Sequence, residues 1–293
     1  MGAPDILKSL PRIRAELIEK VFSRRNPSGL WKANAAKSPL DLYRPKQSGT
    51  FWTLLALADL GCDPADPRLE RPVRALVRTM FFPETGVFGL FPGTYGSHEP
   101  SPCINGLIVY MLSRLGKRGR QESASAMARF AQYQRFDDGG FQTPAAYPYY
   151  GAKDHCYSRH TCFWGVIDLL RAVSFLPGKM RTPSIEKLKE KCVDFILLHE
   201  VCFSSRKKSA FINPRIRKLR FPISGDFLQV LWLLKREGVK DRRMRRAIRL
   251  LLSRRNRDGT WNLEATVPNG IVTFGKVNAP NPFITEKALY VLG

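Results

Sequence analysis

The sequence predicts an all-α fold of helical hairpins in two layers, on three observations. Apolar residues recur at spacings of three and four, as in Leu54, Leu55, Leu57 and Ala58 or Phe227, Leu228, Leu231 and Leu234. A glycine, one residue and then an aromatic recur at Gly29-Leu30-Trp31, Gly86-Val87-Phe88, Gly139-Gly140-Phe141 and Gly259-Thr260-Trp261. Between these turns, a more apolar helical segment alternates with a more charged one.

Taken in order, the predicted pairs are residues 51–60 with 71–79, 104–115 with 124–134, 162–175 with 185–198, and 227–235 with 242–253. A last segment, 284–292, begins a further pair, and the N-terminal segment 6–22 is expected to supply its partner. The turns follow a period of about 60 residues with one degenerate member near Phe203. Connections such as Leu60-Gly61-Cys62-Asp63-Pro64 and Leu115-Gly116-Lys117 place glycine at a helix end, where it caps carbonyls from the left-handed region. The apolar segments belong inside and the charged ones outside.

The runs Gln134-Arg135-Phe136-Asp137-Asp138-Gly139-Gly140-Phe141 and Asn256-Arg257-Asp258-Gly259-Thr260-Trp261 resemble the Q-x-x-D-G-G/S-W turns of squalene cyclases and protein prenyltransferase β subunits. The resemblance spans about Glu16 to Gly293. It implies a single α/α toroid (barrel) domain over residues 1–293, with inner and outer helix layers. The turn aromatics pack as plugs, outside any reaction cavity. The squalene-cyclase acid motif D-x-D-D is missing, and the zinc set of the prenyltransferases cannot be placed on these residues.

Forty-four per cent of the 293 residues are hydrophobic, enough for a sizeable core, and no apolar run is long enough to span a bilayer. Six cysteines (Cys62, Cys103, Cys156, Cys162, Cys192, Cys202) are scattered rather than paired, which fits a reducing cytoplasm. His155, Cys156, His160 and Cys162 follow a spacing that matches no zinc arrangement, so neither metal nor cofactor is expected.

Charge is the least ordinary property. The net charge is +23, and residues 204–257 hold 18 basic residues against three acids. Arg206, Lys207 and Lys208 form one run, and Arg215, Arg217, Lys218 and Arg220 a second. Arg242, Arg245, Arg246 and Arg249 fall on the outer face of a predicted helix. Read together, they imply a polyanion partner, and nucleic acid, DNA first, is the expected one; an acidic lipid surface is the other.

In a toroid the starts of the inner helices converge around a cavity mouth, where free N–H groups favour an anion. Asp226 opens an apolar helix and is either a general base or an N-cap. With Glu264 and His160 it forms the candidate catalytic set; Trp52, Cys103, Asn105, Tyr157, Arg159 and Lys287 form the candidate pocket. The expected activity is hydrolysis of the N-glycosidic bond of an everted, damaged or modified DNA base. The alternatives are an isoprenoid or lipid diphosphate enzyme of the cyclase or prenyltransferase type, with Arg159 and Lys287 at the diphosphate, and a non-catalytic scaffold that binds polyanions.

Overall fold

The computed structural model describes residues 2–90, 101–116, 118–138, 161–207, 209–222, 225–267 and 269–293. These include twelve α-helices and one hairpin of two-residue strands. They group into two compact units, the first holding residues 1–24, 59–61 and 196–293, the second 25–58 and 62–195. The predicted turn at Gly139-Gly140-Phe141 lies outside the described residues.

In the second unit the helices are α3 (Pro39–Tyr43), α4 (Thr50–Leu60), α5 (Glu70–Met80), α6 (Pro102–Leu115), α7 (Arg120–Tyr133), α8 (Phe163–Phe175) and α9 (Pro183–Leu198), α4 and α9 running on into the first. The apolar members α4, α6 and α8 are buried over most of their length, whereas α5, α7 and α9 bury one stripe and expose the rest. That is the division into inner and outer helices that the alternation predicted. Helices α6 and α8 approach closely because Gly106 and Gly165 face the contact. A Cβ at Gly106 would lie 2.4 Å from the Asp168 carbonyl carbon, and one at Gly165 would lie 2.5 Å from the Pro102 ring. Backbone cannot retreat as a flexible side chain can, so this contact needs glycine.

The first unit contains α1 (Ala3–Lys8), α2 (Leu10–Phe22), α10 (Phe227–Arg236), α11 (Arg245–Leu252) and α12 (Pro282–Leu292). Helix α10 packs on both α11 and α12, and α1 packs on α12. Arg14 of α2 adds an ion pair to Glu286 of α12 at 2.5 Å. The predicted helix 242–253 is divided. Asp241 accepts the Arg243 N–H and caps a 3₁₀ turn at Arg242–Met244, so the α-helix begins only at Arg245. Near Phe203, where a degenerate turn was expected, Phe203 bridges Phe211 and their rings stack.

The glycine turns share one geometry. Gly29, Gly86 and Gly259 have φ of 76°, 69° and 84°, a region that penalises any Cβ. Asn26 and Asn256 close two of them identically, each taking the carbonyl four residues on and receiving the glycine N–H. The third joins β1 (Phe81–Phe82) to β2 (Val87–Phe88), a hairpin the helical periodicity did not anticipate.

Each turn aromatic is then tied by its backbone to the inner helix that follows. Thr50 Oγ1 accepts from Trp31 N at 3.0 Å, Asn105 Oδ1 from Phe88 N at 2.8 Å, and Thr285 Oγ1 from Trp261 N at 3.1 Å. Trp31, Phe88 and Trp261 are fully buried, so these amides have no access to water and the side-chain acceptor is what makes burial tolerable.

Candidate functional site

In the first unit, the site forms where residues 219–221 run between two carboxylates. On one side Glu264 accepts the Leu219 N–H at 3.0 Å. It also pairs with Arg254, whose guanidinium lies over the Phe227 ring. On the other side Asp226, the N-cap of α10, accepts the Arg220 N–H at 2.7 Å through Oδ2 and the Gln229 N–H at 2.8 Å through Oδ1. Asp226 is only 2% exposed.

Burial pushes the Asp226 carboxyl up to about 6; the Lys287 charge, the two N–H donors and the Arg220 guanidinium oppose that shift without cancelling it. Lys287 reaches Gln229 Oε1 at 2.5 Å and lies over the Trp232 ring at 5.3 Å. Phe221, the next residue after Arg220, belongs to an aromatic cluster. Phe221 stacks face to face on Phe283 with centroids 4.0 Å apart, Phe274 meets Phe221 edge-on, and Arg14 lies over Phe283. Arg220 Nε is buried without a hydrogen-bond partner, a donor that a ligand atom would satisfy.

In the second unit, Trp52 is buried at the start of α4 and donates its indole N–H to the Tyr43 carbonyl at 3.0 Å. The Tyr43 ring packs on both Phe51 and Trp52, and burial, then the nearby Cys103, pushes its phenol up to about 12. The Cys103 thiol is 3.0 Å from Ser101 Oγ. Asn105 is fully buried and holds both backbone groups of Phe88 as well as the Ser101 carbonyl.

The candidate residues therefore fall in two groups: Asp226, Glu264 and Lys287 in one unit, and Trp52, Cys103 and Asn105 in the other. His160, Tyr157, Arg159, His155, Cys156 and Lys208 lie outside the described residues. Arg206, Lys207, Arg215, Arg217, Lys218, Arg242, Arg245 and Arg249 are exposed, and Arg220 is half-buried. Arg246 is half-buried as well: it pairs with Glu200 at 3.6 Å and stacks on Phe203 at 3.5 Å, so it is no part of an open basic ridge. Sequence reading missed Gln229, Trp232 and Tyr43. Gln229 carried a signal, being the only polar residue among the first eight of the apolar helix α10.

No protein-family model matches this chain, and no curated protein matches it. Among solved structures, it is similar to a type II terpene cyclase from Scytonema in complex with the product merosterolic acid A. That likeness covers 98% of this chain and 97% of the other, at 14% identity and a TM-score of 0.36. It assigns no residue a role.

These findings correct the expectation of a DNA-acting N-glycosidic hydrolase. Nothing in the likeness to a terpene cyclase supports that expectation. Within the site, Glu264 is committed to the Leu219 N–H and to Arg254 rather than standing free as a second catalytic carboxylate. The basic ridge meant to hold DNA loses Arg246 to Glu200 and Phe203.

Proposed function

We propose that the chain binds an isoprenoid and isomerises it by acid chemistry, with Asp226 as the proton donor. The observation that carries this reading is the carboxyl itself, capping α10 at 2% exposure and holding its proton to about pH 6. A buried, protonated acid delivers a proton to an alkene carbon, and any aromatic face that meets the resulting carbocation stabilises it through its quadrupole. Loss of a proton back to the carboxylate closes the cycle, so product and substrate are isomers. Lys287 and Gln229 act as positioning residues: Lys287 limits how far burial raises the acid, and Gln229 holds both the lysine and the cap.

The test is incubation with squalene and with geranylgeranyl diphosphate, with products resolved by mass and retention. The expected result is isomeric product from the native chain and none from Asp226→Asn, while the variant still binds the substrate. Because the protonated form is the reactive one, the rate should fall about tenfold per pH unit above about 6. Equal turnover in Asp226→Asn, or a rate that rises across that range, would remove Asp226 from the role.

A further inference from the structure

A second site stands on the outer face of the first unit, where α10 hands over to α11. Two residues past the end of α10, Gly238, with φ of 73°, turns the chain so that Val239 N–H returns to the Leu234 carbonyl. Asp241 then starts the 3₁₀ turn before α11. The bend between them forms a half-open pocket of about 450 Å³, within the range of about 300–1,000 Å³ typical of small-molecule sites.

Its lining is divided by chemistry. Val239, Met244, Ile248 and Val291 supply apolar surface, with Met244 and Val291 almost wholly buried. Lys235, Lys240, Arg242 and Arg245 supply four exposed cations. The one carboxylate of the lining, Asp241, is already held by Arg243 at 3.0 and 2.8 Å, and that contact keeps its carboxyl down at about 2. Among the described residues none of the four cations forms an ion pair. Like charges gathered around an apolar floor repel one another, and the arrangement is relieved by an occupant that is anionic at one end and hydrocarbon at the other.

The geometry points to a binding site for a phosphorylated amphiphile, a phosphate head among Lys235, Lys240, Arg242 and Arg245 with its apolar body on Val239, Met244, Ile248 and Val291. Phosphate is favoured over carboxylate because it offers three acceptor oxygens to four donors, two of them planar guanidinium forks. Inorganic phosphate would satisfy the rim and leave the floor against water, whereas a neutral hydrocarbon would cover the floor and leave the repulsion intact. The site is independent of the acid at Asp226, so either can fail without the other.

The test is calorimetric titration of the full chain with dodecyl phosphate below its micellar concentration, with butyl phosphate, and with inorganic phosphate. Three proteins are compared: the native chain, the pair Lys240→Glu/Arg245→Glu, and the pair Arg206→Glu/Lys218→Glu, which changes net charge equally at exposed positions outside the pocket. Circular dichroism establishes that each is folded. Dodecyl phosphate is expected to bind the native chain and the second pair alike, and the first pair at least about tenfold more weakly. Butyl and inorganic phosphate should bind progressively more weakly than dodecyl phosphate as the apolar body is lost. Vesicles of about one part phosphatidic acid to four of phosphatidylcholine separate the sources. Co-sedimentation that fails only in the Lys240→Glu/Arg245→Glu pair assigns the head group to a membrane lipid, and binding of the soluble amphiphile alone assigns it to a free metabolite. No binding of any phosphorylated amphiphile, equal loss in both pairs, or inorganic phosphate as tight as dodecyl phosphate overturns the proposal.

Discussion

Burying Asp226 sets two terms against each other: loss of water favours the neutral acid, while Lys287 and two backbone N–H groups favour the carboxylate. Burial wins, and that has a thermodynamic consequence. The native state holds the proton more tightly than the unfolded chain, so this group contributes stability below the ordinary aspartate range and loses it as pH rises through about 6. A shift from 3.8 to about 6 corresponds to about 3 kcal/mol. Glu186 and Asp241, both held down at about 2 by arginine partners, have the opposite sign, and their contribution fades only as pH falls below the usual carboxylate values. Urea unfolding at pH 4.5 and pH 8 should therefore find the native chain losing most of that margin relative to Asp226→Asn. A constant difference between the two proteins would show that the carboxyl titrates normally. The sequence already marked Asp226 as an acid opening an apolar helix, because capping is local. Its meeting with Lys287, and that of Arg246 with Glu200, join residues far apart in the chain, and helical periodicity contains no information about such pairs.

At the scale of the element, the repeated tie between a turn aromatic and the next inner helix is the unit of construction. Its sequence trace is faint, since the acceptors are two threonines and an asparagine and stand at different distances along the chain from Trp31, Phe88 and Trp261. The glycine and the aromatic were legible because each is dictated by backbone conformation or volume; the acceptor is any small polar residue that reaches one amide. Thr285→Val keeps the volume and removes the acceptor from a buried N–H, at a cost of about 1–3 kcal/mol. Thr285→Ser keeps the hydroxyl and should recover most of that loss. Thermal unfolding of the two variants decides it: a destabilised Thr285→Ser beside a near-native Thr285→Val would mean that the methyl contact, rather than the hydrogen bond, holds the turn. The β1–β2 hairpin escaped notice for a related reason, as its strands are two residues long and show no alternation.

For the whole molecule, two quantities were legible in the sequence for different reasons. The net charge of +23 is a sum and needs no structure. The inner and outer helices follow from composition, because an all-apolar helix has no face to give to water. No helix among the described residues is long and apolar enough to cross a membrane. What composition did not reveal is that the residues gather into two units, with the candidate acid in one and the Tyr43–Trp52–Cys103 cluster in the other.

The N-terminal segment offers the sharpest test at this scale. Ile6, Leu10, Val21 and Phe22 are buried, Ala3 N–H bonds the Asp258 carbonyl of the last glycine turn, and Arg14 pairs with Glu286. Residues 1–24 thus act as the helical partner of α12, although they stand at the opposite end of the chain. Four apolar side chains at about 1.5–3 kcal/mol each amount to a large share of the roughly 5–15 kcal/mol that stabilises a typical domain. Deleting residues 1–24 should therefore abolish cooperative unfolding of the first unit, read as loss of protection from hydrogen exchange in α10 and α12. Supplying the segment as a separate peptide should restore that protection, because the surface it covers is otherwise complete. A truncated chain that unfolds as cooperatively as the full one would mean that α12 finds its cover elsewhere, and that α1 and α2 merely rest against the fold.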